Sequence, residues 1–420
     1  MNIIEKTTEY MQTANEQDGI SKIEIPFFIS YVVFLLYMIF STTFFYASYA
    51  HILKWRYVLA FCACLLAIYE FLRNGLTVKT FFAFIVVMLF TYNTLRISKG
   101  LSQNAIAAVL LYTFCARNIS FSKISRITMI VTSVALAFIV ISSYIGIIPN
   151  YVFSEERNRE SLGFLYVLYA PALLSNITFL WIYNKKNKMS IKGVAVFFLL
   201  NLFFFEKTDA RLCFWQTVFL LVFGLLFRKH EQAMLRRKVL CGGMILSFVL
   251  STCISYLLTI WYNPSVRWMD SLNKMIESRM AYGQQSLNQN GLSAFGMKGI
   301  QWIGHGLNMH GEKAEGIYSY VDCYYIQLAQ RFGYLFLILI LVFMTIACYR
   351  AYRNGDVYLL MIFVIIAVHS ILDNLYMYLQ YNTFWFAAGM LVLAGSRVPG
   401  MRQTCSIVEN PVCREVEYRI

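Results

Sequence analysis

Charge is scarce in this 420-residue sequence, where Asp, Glu, Lys and Arg make up only 14% of the residues. An ordinary soluble domain carries about 25%, so that class is excluded. Proline occurs six times and histidine five, which rules out a proline-rich linker protein and a histidine-rich metal tract. The ten cysteines are scattered, most of them in apolar segments such as Cys62, Cys64, Cys115 and Cys213. Neither a disulfide framework nor a CxxC metal site is visible, and no HExxH spacing occurs. Residues 1–25 hold five acids and no early apolar run, arguing against a cleavable signal peptide. What is abundant is apolar and aromatic: 59% hydrophobic residues, with 35 Phe, 29 Tyr and 18 Met, and a mean hydropathy of +0.57.

Apolar runs near 20 residues read as membrane spans. They fall at 27–47, 56–73, 79–96, 103–117, 127–148, 163–183, 191–205, 212–227, 238–261, 324–349, 357–374 and 378–396. The expectation is an all-α polytopic membrane protein of about twelve transmembrane helices, with a long extracytoplasmic loop between helices 9 and 10. The domain reading is a cytoplasmic segment 1–25, a polytopic domain 26–396 containing the loop 262–321, and a cytoplasmic tail 397–420. Sidedness follows from charge. With the N-terminus inside, the inner connections hold sixteen basic residues against Glu231 and Asp356, whereas basic and acidic residues are nearly balanced outside. Both termini are therefore expected in the cytoplasm, and the net charge of +14 is read as headgroup-facing rather than as a nucleic-acid surface.

Three polar stretches break the apolar pattern. In the first, Glu155 to Phe164, three acids accompany Arg157 and Arg159 directly before a span. Arginine forks there would suit a phosphate, or else local salt bridges in a hydrated loop. In the second, residues 269–282 place Leu272, Met275, Ile276 and Met280 near helical spacing with Arg279 beside that face. This predicts an amphipathic helix on the membrane surface. QWIGHGLNMHGEKAEGIYSYVDCYYIQLAQRFG, residues 301–333, continues it with His305, His310 and Asp322, followed by Tyr325 and Gln327 in the next helix. Such polar groups at the edge of a span are expensive unless they line a cavity or find partners. In the third, HSILDNLYMYLQYN at 369–382, His369 and Asp373 share a helical face, followed by Asn374 and Tyr378. A rim of tyrosines and amides can hold a saccharide by stacking and hydrogen bonding, or can be an interfacial aromatic belt.

Arg159-Glu160-Ser161-Leu162-Gly163-Phe164, the Arg279 segment leading to Gly296, Gly304-His305-Gly306, and Asp322-Cys323-Tyr324-Tyr325 with Arg331-Phe332-Gly333 occur in an order between spans that resembles the O-antigen polymerase and ligase superfamily. The Wzy-type polymerases of O-antigen and capsular polysaccharide are the nearest likeness, since ligases often show His-Asn where this chain has Asp322-Cys323. The resemblance implies polymerisation of undecaprenyl-diphosphate-linked oligosaccharide repeat units for capsule, exopolysaccharide or O-antigen. It places the reaction at the outer face of a bacterial cytoplasmic membrane, and implies a chain-length regulator or co-polymerase and a repeat-unit flippase as partners.

Such a glycosyltransferase needs no metal or other cofactor, because directed arginines can take the charge of the departing diphosphate. Arg159 and Arg279 are the first candidates for that role, with Arg157 or Arg211 assisting. His310, His305 and Asp322 are candidate bases, with His369 and Asp373 as a second pair, and the sequence does not choose among them. Candidate glycan-binding residues are Tyr325, Gln327, Asn374 and Tyr378. The competing readings are an O-antigen ligase-like transferase and a polysaccharide flippase or secondary transporter, for which Glu70 is the conspicuous acid within a span.

Overall fold

Residues 20–73, 77–97, 100–153 and 159–394 are described in the computed structural model, and most are helical. The helices of eight or more residues are α1 Ile25–Phe40, α2 Trp55–Leu72, α3 Val78–Ile97, α4 Leu101–Cys115, α5 Phe121–Tyr144 and α6 Tyr169–Lys185. They continue with α7 Ile191–Thr208, α8 Arg211–Phe227, α9 Lys238–Ile245, α10 Ser247–Ile260, α11 Arg267–Met275, α12 Arg279–Asn290, α13 Tyr324–Phe332, α14 Tyr334–Arg353, α15 Val357–Leu372 and α16 Phe384–Leu393. Local chemistry fixes several ends. Pro26 occupies the first turn of α1, where its missing N–H costs nothing. Ser190 Oγ accepts from Gly193 N at the start of α7, and Asp356 caps α15 by accepting from Leu359 N at 3.1 Å, each filling an orphan donor of the first turn.

Apolar runs and helices coincide along most of the chain, but the expected twelve spans do not survive. Five helical segments among the described residues are long and apolar enough to cross a membrane: Lys22–Phe40, Trp55–Leu72, Thr80–Ile97, Phe121–Tyr144 and Tyr334–Arg353. The sixth candidate is the pair α9 and α10, bent by 64°. Two physical causes account for the difference. Arg211–Phe227, Val357–Leu372 and Phe384–Leu393 are apolar but shorter than 18 residues, below the roughly 20 that span a hydrocarbon core. Others spend their apolar side chains on protein: in α6 every residue from Ala170 to Ile182 is buried. Hydropathy registers apolar content and does not say whether lipid or protein surrounds it.

The spanning helices present the opposite arrangement. In α2 only 22% of the span is buried, and in α3 only 28%, so Tyr57, Phe61, Phe71, Phe82 and Leu89 are exposed. Side chains of that kind on several helices form a surface suited to lipid. The chain is accordingly a multi-pass membrane-associated protein. Exposed apolar residues also line α7 and α8, among them Leu199, Trp215 and Phe219, so lipid-facing surface extends beyond the helices long enough to cross.

Hydrogen bonds knit helices together where no water competes. Ser30 Oγ donates to Cys62 O at 2.9 Å and lies 2.6 Å from Tyr112 Oη, joining α1, α2 and α4. Glu70 and Arg117 form a two-pronged pair at 2.7 and 2.8 Å, with the guanidinium 4.0 Å over the Phe114 ring. Glu70 is thus held by a dedicated cation.

The long connection does not lie over the bundle as one flap. Its middle is pinned against the break between α13 and α14: Met297 N donates to Gln330 O at 3.1 Å, and Tyr334 N to Ser293 O at 3.0 Å. Asn93 Nδ2 of α3 donates to Phe295 O at 3.0 Å and Phe332 O at 3.2 Å. Gly296 at φ +83° and Gly333 at φ +105° make this contact; a Cβ on Gly333 would meet Ala294 O, and one on Gly296 would meet Arg331 O. Only glycine tolerates both the conformation and the approach.

Candidate functional site

The helix expected over 269–282 is two helices. The chain turns left-handed at Glu277 (φ +57°) and Ser278 (φ +62°), and Asn273 holds the joint. Asn273 O accepts from Ser278 N at 2.7 Å, and its side-chain Oδ1 accepts from Met280 N at 3.1 Å and Ala281 N at 3.2 Å. The break sets Arg279 at the first position of α12 instead of midway along an amphipathic surface helix.

From there Arg279 Nε donates to Asp322 Oδ2 at 3.3 Å, the two side chains being 14% and 15% exposed. Tyr318 Oη donates to the same carboxylate oxygen at 3.0 Å, and the Tyr318 ring stacks on His305 at 4.3 Å. Arg279 also borders a narrow cleft walled mostly by Leu258, Ile276, Met280, Ile371 and Leu372, with Ser255, Thr259 and Cys323 among them. One guanidinium therefore joins a polar centre to an apolar wall.

A second carboxylate faces the same centre. Asp373 follows α15, where its Oδ1 accepts from Leu375 N at 2.7 Å and lies 3.7 Å from His369 Nε2. His369 is enclosed, stacked on Tyr376 at 3.9 Å, with Nδ1 2.9 Å from Gln216 Oε1. Gln216 Nε2 donates to Tyr376 Oη at 2.6 Å. In this orientation of the amide, His369 Nδ1 donates to Gln216 Oε1.

The two acids are driven apart in proton affinity. Burial pushes the Asp322 carboxyl up to about 6, helped by the charge of Asp373 and opposed by Arg279 and the Tyr318 hydroxyl. Burial acts on Asp373 in the same sense, but His369, Arg279 and the Leu375 N–H outweigh it and hold that carboxyl below its ordinary value. The Arg279 guanidinium is held charged by Asp322 and Asp373 against burial. Two carboxylates with separated affinities around one cation can serve acid and base roles at one pH. Burial, with the charges of Lys313 and Arg159, lowers His305 and so favours its neutral ring.

Tyr166 sits among these charges: Asp322, Asp373, Arg159 and Arg279 all act on its hydroxyl, which burial raises. Its segment is tied down by Leu165 N donating to Thr42 O at 2.9 Å and Leu307 N donating to Leu165 O at 2.8 Å. Arg159 Nε donates to Thr208 O at 3.1 Å. The neighbouring Glu160 is bound by Lys207 at 2.8 Å and Asn150 at 2.8 Å. Asn374 Nδ2 donates to Tyr320 Oη at 3.0 Å, and Tyr169, within electrostatic reach of Tyr320, Tyr378 and Asp373, stacks on Tyr381 at 5.8 Å.

The fold thus gathers Arg159, Arg279, His305, Asp322, Asp373, Asn374 and Tyr378, with His369 behind Asp373. It keeps others elsewhere. His310 lies on an exposed turn, its N–H donating to Asn308 Oδ1 at 2.9 Å. Arg211 is occupied by Asp209 at 3.0 and 3.2 Å. Tyr325 is fully enclosed, its hydroxyl donating to Ala367 O at 2.8 Å, and Gln327, equally enclosed, donates to Val321 O at 2.8 Å. Arg157 lies outside the described residues. Sequence reasoning passed over Tyr166, Gln216, Tyr318 and Tyr320. Tyr318 and Tyr320 alternate toward Asp322, which was a readable signal, whereas Gln216 lies within an apolar helix and gave none beyond being an amide at that depth. Among the described residues no cluster of His, Cys, Asp and Glu has the makings of a metal site.

No family model, no curated protein and no solved structure matches this chain. The likeness to the Wzy-type polymerases therefore has no homology behind it, and five or six candidate spans depart from the roughly twelve typical of that family. Repeat-unit polymerisation falls with the identification, as do the ligase and the flippase or transporter alternatives, which rest on the same many-span architecture.

Proposed function

We propose that this protein is a membrane enzyme transferring a glycosyl group from a lipid-diphosphate-linked saccharide, without a metal. The observation that carries the reading is Arg279. Its guanidinium is enclosed, bonded to Asp322 through Nε, and set against the apolar wall of Leu258, Ile371 and Leu372. A ligand with an anionic head and a hydrocarbon tail suits a guanidinium beside a mostly apolar wall, with the head at Arg279 and the tail outside the cleft, whose own volume is only about 20 Å³. A guanidinium has further donors at its Nη end, which suit a phosphate fork.

In the transfer, an acceptor hydroxyl oxygen bonds to the anomeric carbon of the donor. Its proton passes to a carboxylate, Asp322 or Asp373. The bond from that carbon to the diphosphate oxygen breaks, and the leaving oxygen keeps the electron pair, with Arg279 and Arg159 stabilising the charge that develops. Tyr166, Tyr320, Asn374 and Tyr378 would hold the saccharide. The lysine-rich connection Lys185–Lys192 and the mixed lysine and arginine connection Arg228–Lys238 support placing the site on the outer face of a bacterial cytoplasmic membrane, with the opposite ends of the helices inside. Residues 1–19 and 395–420, on which the sidedness of the termini turns, lie outside the described residues.

The test is turnover in detergent micelles with undecaprenyl-diphosphate-linked oligosaccharide as donor, a saccharide acceptor and EDTA. Release of undecaprenyl diphosphate with transfer to the acceptor is expected, and should fall at least about 100-fold in Arg279→Lys, since lysine lacks the fork. Donor binding with no release, or a requirement for divalent metal, refutes the proposal.

A further inference from the structure

A cavity of about 550 Å³, sharing no lining residue with the cleft beside Arg279, lies at the end of α8 and the start of α9. One wall is a ladder of rings on α8: Phe219 and Phe223 stack at 6.3 Å, and Phe223 and Phe227 at 4.7 Å. At a rise of 1.5 Å per residue the ladder is about 12 Å long. Met234, Leu240 and Met361 of α15 line the rest of the cavity. Phe219 and Leu240 are 50% and 46% exposed, so the groove opens onto the apolar surface of the bundle.

One rim is basic. Residues 228–238 hold Arg228, Lys229, Arg236, Arg237 and Lys238 against a single acid, Glu231. Arg237 and His230 border the cavity itself. Glu231 is not among the residues lining the cavity and interacts with Asp356, Lys186 and Asn187.

We infer that this groove is a binding site for an anionic diacyl phospholipid, with one acyl chain along the Phe219–Phe227 ladder and the headgroup phosphate at Arg237. Charge complementarity selects the head, because a zwitterionic headgroup gains little from a run of five basic residues, while an anionic one is attracted by each. Continuity of the groove with the lipid-facing surface selects the tail, because a soluble phosphate compound would leave the ring ladder empty. The site is independent of the glycosyl-transfer reading and shares no residue with it.

The experiment uses delipidated full-length protein and native mass spectrometry with palmitoyl-oleoyl phosphatidylglycerol, phosphatidylcholine of the same chains, and glycerol phosphate. Phosphatidylglycerol should be retained at least about tenfold more tightly than phosphatidylcholine, and millimolar glycerol phosphate should not displace it. Arg237→Gln should weaken retention about fivefold, the effect of one basic side chain beside an anionic head, whereas Lys192→Gln, an exposed basic residue outside the groove, should not. Phosphatidylglycerol carrying a photoreactive acyl chain should label the peptide containing Phe219 to Phe227. Equal retention of the two lipids, equal losses in the two variants, displacement by glycerol phosphate, or labelling confined to other helices each overturns the assignment.

Discussion

Replacing Arg279 by methionine tests the centre of the site through its proton balance. Arg279 and Asp322 are enclosed and 3.3 Å apart, a separation at which unit charges attract by roughly 5 kcal/mol in an effective dielectric of about 20, before desolvation is counted. Without the cation, Asp322 is expected to keep its proton through pH 8. In the wild type the folded value of about 6 lies above the ordinary 3.8. The contribution of Asp322 to stability is therefore fully present below pH 3.8 and is lost as pH rises through about 6, where the loss levels off as the group ionises. In Arg279→Met the loss continues to grow, by about 1.4 kcal/mol for each pH unit above 6. The variant should therefore fall about 3 kcal/mol further below wild type at pH 8 than at pH 5. Reversible unfolding in mixed micelles at both pH values measures this directly. Adding Asp322→Asn should abolish the pH dependence and recover most of the loss at pH 8. A deficit equal at the two pH values, or strictly additive effects of the two substitutions, refutes the account of the pair.

Three further outcomes follow from the geometry. Gly333→Ala, at φ +105° and against Ala294 O, should destabilise by more than about 2 kcal/mol, whereas Gly299→Ala, at φ +86° but with open space around it, should cost only about 1 kcal/mol in the same assay. Glu70→Gln strips Arg117, 3% exposed, of its counter-charge and should cost about 3 kcal/mol, with turnover per folded molecule unchanged. Under the proposed transfer, kcat/KM should rise through about pH 6 as Asp322 ionises, and that limb should vanish in Asp322→Asn; a limb that persists assigns the base to another group.

Helix positions were legible because long apolar runs need no partner to be recognised, and α2 and α3 match the expected segments 56–73 and 79–96 closely, whereas the segment expected over 324–349 is broken at Gly333 into α13 and α14. Their role was not legible. The apolar residues of α6 read the same as those of α2, yet the first are enclosed by protein and the second face outward. Within the candidate site, Arg159, Arg279, Asp322 and Asp373 stood out because charge at the edge of an apolar run is costly. Which of them share a centre depends on pairings between segments tens or hundreds of residues apart, such as Asn93 with Phe295 and Phe332, that no local pattern encodes. Tyr325 and Gln327 show the converse: polar side chains on an apolar helix were read as ligand-facing, but their hydrogen bonds go to backbone carbonyls.

The seam at Gly296 and Gly333 divides the sixty-residue connection into two shorter tethers. Because closing a flexible segment costs only slightly more as it lengthens, the gain in stability from this division is small; the gain in mechanics is larger. The tether bearing Arg279 and the tether bearing His305 are anchored at a common post and also joined to each other, Trp302 Nε1 donating to Ser286 Oγ at 3.0 Å, so the polar centre is held from both sides. Amide hydrogen exchange should find the slowest-exchanging amides of the connection at this post, at Met297, with Tyr334 and Leu335 opposite.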